Sequence, residues 1–182
     1  MGGLLEEPYR FWEWGVSIGR LFTMARPGRS KYKSADIVPK LALDAWVQGL
    51  PAGDLVLVSL LGTKPGSPPK SEFRYYPFSG GLTPDPKKPT LEAWLNALHL
   101  SGKVTVIEVP TMDLDPQLAP DKLAAATKAV QENLAAGRTV IVMDSGGWSR
   151  TGEVCESMGF SIISKAPFAE KTSGRRTTKP RK

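Results

Sequence analysis

Residues 139–152 read TVIVMDSGGWSRTG: an apolar run that ends on an aspartate, then two glycines, then Arg-Thr-Gly. A short apolar run rich in β-branched residues predicts a buried strand, and Arg150-Thr151-Gly152 opens a helix. Strand, turn and helix N-terminus together form a cradle for an anion, because backbone N–H groups turn inward and the helix end carries partial positive charge. Arg150, six residues after Asp144, can reach back with a planar fork that matches phosphate. The segment from Asp144 through Ser145, Gly146, Gly147, Trp148, Ser149 and Arg150 to Thr151 is therefore expected to be a phosphate-sized loop. The plainer reading is a generic α/β turn in which Gly146 and Gly147 only supply positive φ.

This stretch resembles the signature of the protein tyrosine phosphatases, especially the dual-specificity branch, which runs His-Cys, five residues, Arg, Ser or Thr, Gly. Gly147, Arg150, Thr151 and Gly152 match in place, whereas the nucleophilic Cys falls on Asp144 and the preceding His on Met143. The family's general-acid Asp lies about thirty residues before the Cys. Asp113 and Asp115 lie 31 and 29 residues before Asp144, so either is a candidate vestigial acid. The resemblance also covers the order of elements before the signature: two strands, an acidic loop and a long helix. It implies a phosphatase-like α/β fold, here truncated after the signature helix.

The resemblance implies no family activity in this chain. The reaction needs a thiolate to attack phosphorus while an acid protonates the leaving oxygen. A carboxylate at residue 144 is a weaker nucleophile and repels the incoming dianion. Asp144 is expected instead to occupy the cradle, accepting hydrogen bonds from loop N–H groups and pairing with Arg150. An engineered Cys-to-Asp change would explain Asp144 but not Met143, which favours natural divergence. The expected role is that of a pseudophosphatase, a structural or binding subunit of a larger intracellular assembly, ribosomal, organellar or cytoskeletal. Two alternatives stay open: a module that binds a phosphorylated ligand, and a residual phosphatase with a non-Cys mechanism.

These residues need a scaffold, and the pattern supplies an α/β one with a mainly parallel sheet of four or five strands flanked by helices. VSIGRLFTMARPG reads as a short strand or two. Leu43, Trp46, Val47 and Leu50 recur at helical spacing along a stretch with Pro39 near its start and Gly49 near its end, and DLVLVSLLG, residues 54–62, predicts a central strand. Residues 63–89 form a Pro-rich insertion around EFRYYPF, read as an edge strand because Pro77 cannot donate to a ladder. Thr90 caps a helix carrying Leu91, Trp94, Leu95 and Leu98, KVTVIEVP is a second buried strand, and residues 120–137 are a helix with Leu123, Val130 and Leu134 on one side. Residues 1–170 are read as one domain with an N-terminal extension.

The net charge of +6 resides in residues 171–182, where Lys171, Arg175, Arg176, Lys179, Arg181 and Lys182 stand without an acid. This basic tail is expected to favour RNA or acidic protein tails. One cysteine and one histidine leave no basis for a disulfide framework or a zinc site, so no metal and no cofactor are expected. No apolar run is long enough to span a bilayer, and MGGLLEEPYR lacks a signal-peptide pattern and carries Glu6 where myristoylation wants Ser or Thr. An intracellular location fits, with cytoplasm, cytoskeleton and mitochondrion unresolved. Cys155 is read as a buried helix residue, His99 as a helix-end cap or surface residue, and Trp12, Trp14, Trp46 and Trp94 as core or interface. For Trp148 a ligand-stacking and a space-filling role are equally open.

Overall fold

The computed structural model describes residues 11–28 and 40–165. In chain order the elements are β1 (Trp12–Trp14), β2 (Arg20–Ala25), α1 (Lys40–Gln48), β3 (Leu55–Ser59), β4 (Thr63–Lys64), β5 (Lys70–Ser71), α2 (Leu91–Leu98), β6 (Val104–Glu108), α3 (Pro120–Ala135), β7 (Thr139–Asp144), α4 (Ser149–Ser157) and β8 (Ile162–Lys165). The main sheet has six strands in the order β6-β3-β7-β2-β1-β8. The first four run parallel, while β1 is antiparallel to β2 and β8 antiparallel to β1.

The alternation of side chains along the parallel strands divides the apolar residues into two layers. On one face Phe22, Met24, Leu55, Leu57, Ile141 and Met143 meet α1 and α2. On the other, Leu21, Val56, Val58, Val140 and Val142 meet α3 and α4. Residues buried on both faces explain why DLVLVS and TVIVM read as unbroken apolar runs.

Three expectations need correction. KVTVIEVP is not a second buried strand but the half-exposed edge strand β6. Its outer rim is satisfied by side chains of α2: Asn96 donates to the Val104 carbonyl (2.7 Å) and accepts from its N–H (2.9 Å), and Glu92 accepts from Val106 N–H (2.7 Å). Two polar residues four apart share a helix face, so α2 closes an edge that would otherwise invite pairing. Second, EFRYYPF is a turn, not an edge strand. Phe73, Tyr76 and Phe78 are buried against α2, with Phe78 4.5 Å from the ring of Trp94, so the insertion belongs to the core. Tyr76 Oη donates to the Pro27 carbonyl (2.6 Å) and Trp46 Nε1 to that of Ala25 (3.0 Å), which ties the end of β2 to both the insertion and α1.

Third, the sheet has six strands rather than four or five, because the chain after α4 turns at Gly159 and returns as β8 beside β1. Helix α4 is thus followed by a strand. The single-domain boundaries at 1–170 and the tail 171–182 extend outside the described residues. Among the described residues no helix is long and apolar enough to cross a membrane.

Candidate functional site

The loop from Asp144 to Thr151 leaves the C-terminal end of β7, between β3 and β2, where parallel sheets commonly present ligand sites. Gly147 has φ 67°, and a side chain there would strike the backbone of Met24 and Ala25, so the loop can turn this tightly only with glycine. Helix α4 then begins at Ser149, with Trp148 in the cap position making no side-chain capping bond.

Asp144 supplies that missing cap from within the strand. Its Oδ1 accepts from the N–H groups of Gly146 (2.8 Å) and Gly147, and its Oδ2 from Thr151 N–H in the first turn of α4 (3.0 Å). The carboxylate is almost fully buried and lies where a helix N-terminus favours negative charge. The inward-facing N–H groups that suit an external anion are therefore engaged by the loop's own aspartate.

Arg150, only 4% exposed, does not pair with Asp144 as expected. Its fork is taken by Glu72 in a bidentate arrangement, Nη1 to Oε2 and Nη2 to Oε1, both 3.0 Å. Asp113 Oδ1 accepts from Nη2 (3.0 Å), while the Thr111 hydroxyl and the Leu60 carbonyl accept from Nη1 (3.0 and 3.1 Å). Glu72 also accepts from Gly62 N–H (2.8 Å), which anchors it at the end of β3. Burial by itself lowers the Arg150 pKa. The hydrogen bonds and charge of Glu72, with the further charges of Asp144 and Asp113, outweigh it and leave the pKa above its ordinary value.

Of the two candidate acids, the structure brings Asp113 to Arg150 and leaves Asp115 exposed on the same loop. Leu114 between them has φ 67°, a strained conformation for a residue with a branched side chain, and its N–H donates to Asp113 Oδ1 (3.1 Å). Glu72 and Asp113 thus bond the guanidinium directly, while Asp144 acts on it only through its charge. The decisive Glu72 is missing from the sequence reading. Its signal was present: Glu72 is the sole acid between Asp54 and Asp85, set among aromatics in a stretch otherwise basic.

The remaining residues fall as follows. Cys155 is fully buried on α4, and burial pushes its thiol well above the ordinary range. His99 is the C-cap of α2 and is buried, not on the surface, with Nε2 2.8 Å from the Gly53 carbonyl. Trp46 and Trp14 are buried, Trp12 and Trp94 partly so. Trp148 is 53% exposed and meets Trp12 edge-on at 6.0 Å. The tail residues Lys171, Arg175, Arg176, Lys179, Arg181 and Lys182 lie outside the described residues. Among the described residues no group of three or more His, Cys, Asp or Glu side chains is placed to hold a metal ion. No protein-family model matches the chain, and no curated protein or solved structure matches it significantly, so the functional reading rests on these residues and their geometry.

Proposed function

We propose that this chain is a catalytically inert, phosphatase-like domain that serves as a structural or binding subunit of a larger assembly. The observation that carries this reading is the occupancy of the loop: Asp144 takes its N–H groups and Glu72 takes the fork of Arg150. A phosphate dianion entering here would displace two carboxylates and meet a third at Asp113. A phosphopeptide-binding module would need both the amides and the fork free. The basic tail supplies a long-range attraction to an acidic partner, RNA or an acidic protein segment, which the salt dependence of partner binding would report.

Turnover of an aryl phosphate tests the reading. The purified chain is expected to show no hydrolysis above a blank. Asp144→Cys should also fail, because Arg150 remains bound by Glu72 and Met143 stands beside the new thiol. Turnover by the unmodified chain would overturn the proposal. A rate in Asp144→Cys far above blank would mean the scaffold still holds Arg150 ready for substrate.

A further inference from the structure

A cleft of about 610 Å³ opens on the α3/α4 face, between those helices and the antiparallel pair β1–β8. Its wall mixes aromatic and apolar side chains, Trp12 and Ile162 from the two strands, Leu123 from α3 and Trp148 from the loop, with polar ones such as Thr23, Gln117 and Ser157. Its charged lining residues are Glu153 and Glu156, three apart on α4, and among the described side chains no lysine, arginine or histidine lines it. Both oxygens of Glu153 face the Leu118 N–H (2.9 and 3.2 Å), which fixes the carboxylate in place, and Glu156 is exposed. Neither forms an ion pair with a described residue.

Surface glutamates are ordinarily just solvated. Here they border an aromatic wall, and the combination selects. An acidic ligand is repelled, and a purely apolar segment would strip water from two carboxylates without replacing it. A lysine or arginine satisfies both parts, since its methylene stem lies along tryptophan while its charged head meets a carboxylate. We infer that this cleft docks a segment of a partner protein that carries lysine and arginine. The inference goes beyond the inert-loop reading and does not depend on it, because none of the wall or rim residues holds Arg150.

Fluorescence anisotropy of a labelled peptide of about ten residues, half of them Lys and Arg, provides the test, with its Lys/Arg→Glu counterpart as control. It uses the full chain and a full-length variant in which the six tail cations are replaced by Ser. The basic peptide should bind both chains alike, weaken with added salt, and be preferred over its acidic counterpart. Trp148→Ala and Glu156→Gln should each weaken binding about three- to tenfold, and Glu156→Gln should leave the unfolding midpoint in place because Glu156 is exposed. No binding to either chain would overturn the inference, as would equal binding of the acidic peptide or indifference to both substitutions. Binding only after the tail cations are removed would assign the cleft to the chain's own tail and overturn the partner assignment. Loss of aryl phosphate inertness would leave this result untouched, so the two readings fail separately.

Discussion

Arg150→Met is expected to destabilise the fold by about 3–5 kcal/mol, because it leaves the buried Glu72 carboxylate without its counter-charge. Glu72→Gln should cost less. It keeps an acceptor for Gly62 N–H, and Arg150 retains Asp113 at 3.0 Å. The double substitution should lose less than the sum of the two, with a coupling on the order of 2 kcal/mol, measured by chemical denaturation of all four chains. The size follows from burial: both side chains are almost entirely out of water, unlike the exposed pair Lys40–Asp44, which contributes little. Additive losses would mean that Glu72 and Arg150 do not hold each other.

Asp144→Ala should cost about 2–4 kcal/mol, since three N–H groups lose their acceptor and α4 loses its only N-terminal cap. Asp144→Asn should cost less, because the amide oxygen still accepts from part of the set. A further consequence separates capping from plain packing. In Asp144→Ala the loop N–H groups are vacated, so millimolar inorganic phosphate should raise the unfolding midpoint of the variant and leave that of the unmodified chain unchanged. Equal response of the two chains to phosphate would reject the idea that Asp144 stands in for the anion.

The parallel core of the sheet was legible because β3 and β7 are buried on both faces, so their apolar runs admit no amphipathic alternative of that length. The helices α2 and α3 were legible from a threonine cap, a proline at the start and apolar residues at helical spacing. The insertion was not. Phe73, Tyr76 and Phe78 have the composition of a strand, yet Pro77 and the neighbouring prolines and glycines leave the backbone turning, and tertiary packing on α2 decides the outcome. Strand β8 was obscured by its length of four residues and by its nearness to a segment dominated by charge.

The loop itself was readable from Gly147 and Arg150, and the role of Asp144 as internal acceptor followed from its place at the end of β7. The partner of Arg150 did not follow. Asp144 lies nearer in sequence, but its carboxylate is turned to the loop amides, and the fork meets Glu72, 78 residues away along the chain. Spacing along a sequence reports contacts within one element and its neighbours. A pairing that depends on how an insertion folds over the end of a sheet is set by the packing of Phe73, Tyr76 and Phe78.

The central claim is that the loop is filled by the chain's own carboxylates. An NMR titration of the ¹⁵N-labelled chain with inorganic phosphate, following the amides of Gly146, Gly147 and Thr151, tests it most directly. The amides are expected to hold their positions through millimolar phosphate, because their hydrogen bonds already end on Asp144. A saturable shift of all three, together with a shift of the Arg150 side-chain resonance, would show an open anion site and contradict the account.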